Sequence, residues 1–506
     1  MPEATLVASL TSPSELPSLP TAVRCLEVRA DLTGDLDPDG LRDRFRGELL
    51  YSLRSRAAGG AGEVSGRERR ERLLAAARRW DLVDLEAGDL VPEVLARIPA
   101  ARRVVSWRGP AMDLGALRTH WERFAGIEAR LVRLVTAAED AMDALAPLRL
   151  LREISREIGR CDVVAFASGP AGWWSRLLAP RLGAPFVFAA AGEEAGEPTV
   201  ARLVDDYGLP DLPPIEALYG IAGRSATAAK SLSPRLHNAS YRALGLPALY
   251  LPFPTRDFAA FWRELPEALS GLGFRLAGLT VTSPHKEEAL EAVEHRSRLA
   301  RRAGAANTLL WHNGSWRADT ADAEGVLAVL GARGVDVAGQ PVAVVGCGGA
   351  GRAAAAGLQQ AGGKVTLVNR GLERGLYASS LLSLPFVPLA EFSAREFSLV
   401  VHATPLQHEI PFATDELRDG AVVVELVYGA VPTPLMTATA ARGGVAIDGR
   451  EVLLVEAQRQ FQMMTGLPMP GDLAVRLIRG EGVADCASIP ARASSDGPSD
   501  LAATFA

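Results

Sequence analysis

Lys286, in the run GLTVTSPHKEEAL, is one of three lysines in a 506-residue chain; Lys230 and Lys364 are the others, and every other one of its 54 basic residues is arginine. An ammonium can hand over a proton near neutral pH and a guanidinium does not, so a lysine kept in such a chain is a candidate for proton transfer. A second candidate is Gly346-x-Gly348-x-x-Gly351, with Gly349 and Ala350 inside it. Glycines permit a tight turn and let backbone amides at a helix N-terminus approach a pyrophosphate. A third is Ser231-x-Ser233-Pro234, two hydroxyls opening a helix, a geometry suited to an anionic ligand. Taken alone, an S-x-S-P is usually only a cap.

These residues need elements to position them. The glycines lie between the apolar strand VAVV and the helical run RAAAAGLQQAGG, followed by the strand KVTLVNRG, which is a dinucleotide-binding βαβ context. That second strand ends in Asn369-Arg370, with Arg374 four residues on, where an NAD site would carry a carboxylate. Two guanidiniums suit a 2′-phosphate, so the expected cofactor is NADP. In the first half, eight short apolar runs recur: TLVASL, VRCLEVRAD, ELLYSLRS, LVDLE, RRVVSWRG, ARLVRLV, CDVVAFASG and PFVFAAAG. Helical segments alternate with most of them, which predicts a (β/α)8 barrel whose chemistry would sit at the carboxyl ends of the strands. The fold class is therefore α/β.

The formal net charge of −6 argues against a nucleic-acid or anionic-membrane partner and leaves a small-molecule substrate. Cys25, Cys161, Cys347 and Cys486 lie far apart, so neither a metal site nor a disulfide framework is expected. The N-terminus lacks a basic segment followed by a long apolar run, and a cytoplasmic location is the default. The last stretch, 483–506, is rich in Ser, Ala, Pro and Gly and is expected to be disordered.

Residues 1–207 resemble type I 3-dehydroquinate dehydratase. Glu27, Arg29 and Asp31 of LEVRAD fit that family's E-x-R-x-D strand, and Arg54 and Arg176 fit its substrate arginines. The resemblance implies an imine-forming lysine and a general acid–base histidine. Those positions read Ala165 and Arg108 here, and the glutamate expected after Arg54 reads Ala58. Residues 1–229 contain no lysine, and the one histidine in this half, His120, lies in a helical run where a packing role is expected. The barrel is thus read as a relic that has lost dehydratase chemistry, with Glu27, Arg29, Arg54 and Arg176 as a vestigial site that would either bind a carboxylate-bearing ligand or serve structure.

From about 217 to 480 the chain resembles shikimate dehydrogenase, carried by GLTVTSPHKEEAL, RAGAANTLLW, RADTADAEGVL, the glycine turn, VTLVNRGLER, ELVYGAVPTPLM and IDGREVLLVEAQRQFQMMTGLP in order. The two together resemble the bifunctional dehydratase/dehydrogenase. The implied domains are a substrate-binding domain at 217–325, a Rossmann NADP-binding domain at 326–448, and a helical segment at 449–482 returning to the substrate domain. The resemblance assigns proton transfer to Lys286 paired with Asp322, and substrate contact to Ser231, Ser233, Thr282, Asn307, Tyr428 and Glu456. Cofactor contact falls to Gly346, Gly348, Gly349, Ala350, Gly351, Asn369, Arg370, Arg374, Thr404 and Gly449. The chain departs from the pattern at Thr280, Thr320, Gly371 and His402, and at Glu456, which replaces a glutamine. A glutamate there is expected to accept hydrogen bonds without donating and to carry charge. The reading is an NADP-dependent interconversion of 3-dehydroshikimate and shikimate; the alternatives are a dehydrogenase for quinate or a related analogue, and a non-catalytic ligand-binding regulator.

Overall fold

The computed structural model describes residues 4–61, 64–194, 196–429 and 431–480; the expected disordered tail lies outside these residues. By contact density the chain divides into two units. One holds Met1–Glu216 with Arg224–Asn238 and Pro247–Arg275; the other holds Ala217–Gly223, Ala239–Leu246 and everything from Leu276 onward.

In the first unit all eight expected strands form. They are Thr5–Leu10, Cys25–Arg29, Glu48–Ser52, Leu82–Glu86, Arg103–Gly109, Leu131–Ala137, Val163–Ser168 and Phe186–Ala190. Each pairs in parallel with the next in sequence from the first to the seventh, and the first also pairs with the eighth. Between the seventh and eighth, Phe166 stacks on Phe188 with ring centroids 6.5 Å apart. Helices such as Gly66–Ala76, Leu114–Ala125 and Leu145–Glu153 lie between successive strands, the alternation a parallel barrel requires. His120 stacks on Trp107 at 4.3 Å.

In the second unit, Ala217–Gly223 runs parallel to Leu276–Val281, which pairs antiparallel with Thr308–His312. A two-residue Asn313-Gly314 turn, both at positive φ, closes the hairpin to Ser315–Asp319; Asn-Gly suits that turn because its twist matches the strands. A second, wholly parallel sheet follows in the spatial order 386–388, 364–369, 341–345, 399–402, 422–425, 445–447. This is the doubly wound dinucleotide-binding order, with its switch point between 341–345 and 399–402. Val342 and Val344 join one apolar cluster with Leu358, while Ala343 and Val345 join another with Phe397 and Leu435, so the strand is buried on both faces.

Candidate functional site

Lys286 is the first residue of the helix Lys286–Glu291, which begins five residues after the strand Leu276–Val281 ends. Its Nζ donates to both carboxylate oxygens of Asp322, at 2.7 and 2.9 Å. Asp322 opens the helix Asp322–Ala332 and is 3% exposed, against 14% for the lysine side chain. Thr320 Oγ1 donates to Asp322 Oδ2 at 3.1 Å, so this departure still supports the carboxylate. Asn307, buried, accepts from Ala321 N at 3.0 Å and from Thr308 Oγ1 at 2.8 Å, tying its strand to the loop before Asp322. Thr282 follows the same strand as Thr280, and Thr280 Oγ1 lies 3.3 Å from Gln460 Oε1 on the helix Gly449–Thr465.

Glu456 stands on that helix. Burial, reinforced by the charge of Asp322 and opposed by Lys286, raises its carboxyl to about 8. A carboxyl raised this far favours its protonated form at neutral pH, and that form can both donate and accept. The expectation of a charged, acceptor-only side chain is corrected, because a third charge beside a buried ion pair is disfavoured.

Tyr428 lies half-buried after the strand Val422–Glu425, its carbonyl accepting from Gln407 Nε2 at 3.2 Å. Ser231 and Ser233, in the first unit, are both buried; Ser231 Oγ accepts from Ser233 N at 3.1 Å at the start of the helix Ser233–Ala243.

The glycine turn is tightly made. Gly346 has φ +114°, and a Cβ there would lie 2.8 Å from Ala403 C; one on Gly351 would lie 1.9 Å from Gly346 O. At Gly348 a Cβ would meet nothing within 4 Å, which leaves open space at the N-terminus of the helix Gly349–Gln360. A helix N-terminus of eight residues or more facing open space fits a pyrophosphate. A Cβ on Gly349 would lie 3.0 Å from Lys286 Cβ, so the turn and the lysine stem are neighbours. Asn369 Oδ1 accepts from Cys347 N at 3.1 Å, fixing the turn to the second strand. Arg370 is exposed, whereas Arg374 donates to Glu287 Oε1 at 3.1 Å. Gly449 lets its helix abut the Val427 carbonyl, 2.5 Å from where a Cβ would stand.

His402 and Glu425, each fully buried at a strand end, are joined Nδ1 to Oε1 at 2.8 Å. His402 Nε2 lies 2.5 Å from Thr404 Oγ1, and Thr433 Oγ1 donates to Glu425 at 3.1 Å. The network fixes the rotamer of Thr404.

The barrel interior is made of ion pairs. Glu27 accepts from Arg133 Nη1 at 2.8 Å, from Arg54 Nη2 at 3.2 Å and from Ser9 Oγ. Burial opposes its ionisation, but Arg133, Arg54 and Arg108 outweigh that and hold the carboxyl well below the usual range. Arg133 also donates to Asp84 at 2.6 Å, and Ser52 to Asp84 at 2.9 Å. Arg29 and Asp31 form a two-bonded pair at 2.9 and 2.7 Å, and Arg176 pairs with Glu197. Ala165 is buried in the seventh strand and contributes no polar group; the basic side chains hydrogen-bonded to Glu27 are Arg133 of the sixth strand and Arg54 just after the third.

With this geometry in view, the family comparisons divide the chain as the sheets do. The model described as Type I 3-dehydroquinase matches residues 12–211, and that of the shikimate dehydrogenase substrate binding domain matches 225–309. A protein of Acidiphilium cryptum, "Shikimate dehydrogenase (NADP(+))", is 38% identical over 262 residues, covering 50% of this chain and 93% of the relative. The chain belongs to the shikimate dehydrogenase family. It carries that family's sequence behind a dehydroquinase-type barrel, the architecture of the chloroplastic "Bifunctional 3-dehydroquinate dehydratase/shikimate dehydrogenase" of Arabidopsis thaliana, 26% identical over 488 residues, 88% of this chain and 78% of the relative. A crystal structure of Thermus thermophilus shikimate 5-dehydrogenase with NADP(H) and shikimate is 30% identical, with a TM-score of 0.47, over 52% of this chain and 99% of that one. A model described as FAD binding domain also matches, over 341–433, the region of the glycine turn; that turn is common to folds that bind either dinucleotide.

Within this shikimate dehydrogenase family member, sequence reasoning missed Arg352, Arg133, Asp84 and Glu425. Arg352 is fully buried, donating to Ala303 O at 2.7 Å, Cys347 O at 3.0 Å and Gly304 O at 3.2 Å, and lying 2.8 Å from Glu287. The available signal was a lone arginine among alanines in GAGRAAAAGL.

Proposed function

We propose that the second unit carries an NADP-dependent shikimate dehydrogenase, interconverting 3-dehydroshikimate and shikimate, and that the barrel no longer performs dehydration. The observation that carries the first part is the two-bonded Lys286–Asp322 pair beside the glycine turn. The Acidiphilium relative's name supports the activity and the cofactor. Gly346, Gly348 and Gly351 with the following helix N-terminus would hold the pyrophosphate, Asn369 shapes the turn, and Arg370 would face the 2′-phosphate. When bound, the nicotinamide supplies or accepts the hydride.

The chain's own residues manage the proton. In the reducing direction Lys286 Nζ delivers a proton to the ketone oxygen, and in the oxidising direction it receives one from the alcohol. Asp322 fixes the ammonium by two hydrogen bonds, and Thr320 fixes Asp322. Glu456, when protonated, would donate to a hydroxyl oxygen on the substrate's ring; Thr282, Asn307 and Tyr428 complete the proposed contacts within this unit.

Loss of dehydration follows from chemistry: an imine needs a primary amine, residues 1–229 contain no lysine, and the basic groups around Glu27 are guanidiniums. Absorbance of NADPH with shikimate and NADP as substrates tests the proposal. Turnover that collapses in Lys286→Ala supports it; absence of turnover despite shikimate binding sinks it in favour of a ligand-binding regulator.

A further inference from the structure

Arg352, in the first turn of the helix Gly349–Gln360, is fully buried, yet its guanidinium reaches three separate segments of the second unit. Nε donates to Ala303 O at 2.7 Å and Nη2 to Gly304 O at 3.2 Å, carbonyls at the end of the helix Arg298–Ala303 that no further turn can satisfy. Nη1 donates to Cys347 O at 3.0 Å, inside the glycine turn. Nη2 also lies 2.8 Å from Glu287 Oε1. Four of the five N–H groups of the fork are thereby engaged, a pattern that only a planar guanidinium can supply.

These contacts bear on both halves of the proposed chemistry. A trans peptide is planar, with its C=O and N–H pointing opposite ways. Pinning the Cys347 carbonyl therefore turns the Gly348 N–H away from the buried guanidinium. That N–H has no acceptor among the described residues, and a Cβ on Gly348 would meet nothing within 4 Å, which leaves the amide available to a pyrophosphate at the helix N-terminus. The remaining contacts reach Lys286 by two routes. Glu287 follows it in sequence, and the segment held at Ala303 and Gly304 continues to Ala306, whose N–H donates to Lys286 O at 2.8 Å.

We propose that Arg352 is a positioning residue that couples the coenzyme turn to Lys286: it presents the Gly348 amide to the pyrophosphate and holds the start of the helix Lys286–Glu291 in register with it. Its fork is filled by protein atoms, so it acts through the groups it holds. The second half of the proposal rests on the dehydrogenase reading; the first rests on the geometry of the turn alone.

The test compares the full native chain with Arg352→Lys, which keeps the charge and loses the planar fork. NADPH and 2′-AMP are titrated calorimetrically, the latter carrying a 2′-phosphate without the pyrophosphate. The NADPH Kd is expected to rise about tenfold, the order of one charge-assisted hydrogen bond, while that of 2′-AMP stays within about twofold. With shikimate and NADP at saturation, kcat is expected to fall about tenfold, with the shikimate KM changed far less. Added to Lys286→Arg, the same substitution should leave kcat where Lys286→Arg alone sets it, because residues that act as a unit are not additive. A general loosening of the fold would instead weaken 2′-AMP along with NADPH and lower kcat by the same factor in both backgrounds. Either of those results, or an unchanged NADPH Kd, overturns the proposal. Should the native chain bind NADPH yet turn over no shikimate, the dehydrogenase reading falls, and the NADPH and 2′-AMP constants still decide the role of Arg352 at the turn. Should Arg352→Lys unfold, Arg352→Gln, which buries no charge, takes its place with the same pattern expected.

Discussion

Two polar interiors in this chain, that of the barrel and that around Lys286, are both built on a basic side chain bonded to a buried carboxylate. In the barrel the bases are Arg133 and Arg54; in the second unit the base is Lys286. The barrel's hydrogen bonds hold charge in place, because guanidinium keeps its proton. The Lys286 pair is of similar length but contains a proton that can leave. On the proposed reading, burial and ion pairing do not by themselves mark chemistry; the identity of the base does.

The sharpest way to break the comparison is to make the second site resemble the first. Lys286→Arg preserves the charge and is expected to lower shikimate turnover about 10³-fold, the order of a general acid–base contribution, with KM changed far less. Comparable activity in the variant would mean that charge alone suffices. Next in size is the reverse cut: Glu27→Gln leaves Arg133, Arg54 and Arg108 without their shared anion and is expected to destabilise the barrel by about 3 kcal/mol in urea unfolding. A borohydride trap with 3-dehydroquinate should leave the native chain's mass unchanged.

Smaller effects sharpen the cofactor side. Arg370→Ala is expected to raise the KM for NADP about tenfold, and Arg374→Ala less, since Arg374 is shared with Glu287. The smallest concerns Glu456. Its native pKa of about 8 exceeds the unfolded value of 4.5, so the folded state holds the proton more tightly. Its stabilisation is complete below 4.5 and is lost as pH rises towards 8. Between those values Tm should fall with pH by a slope that Glu456→Gln removes, and the few-fold rise in shikimate KM above pH 8 should vanish with it.

Much of this was legible beforehand. Eight apolar runs gave eight barrel strands because each is bounded by turn residues or a helical segment, and the glycine turn announced itself because few other sequences fit so close a backbone approach. Lys286 and Asp322, 36 residues apart, were joined through an ordered motif series. Arg133 was not read, because in an arginine-rich chain one more arginine looks like surface charge, although LVRLV places it on the same strand face as Leu131 and Val135. Arg352 was hidden for the same reason. The raised pKa of Glu456 could not be read at all, since it depends on burial and then on Asp322, which is distant in sequence.

The Arg352–Glu287–Arg374 cluster has a consequence for anyone redesigning coenzyme preference. Glu287 follows Lys286 directly, and Arg352 ties it to the backbone of the glycine turn. Replacing Arg374 to favour a different nucleotide would release one of the two cations on that glutamate and so disturb the anchor of the helix that begins with Lys286. On the proposed reading selectivity and turnover are mechanically geared, and a library that varies Arg374 should vary Glu287 with it.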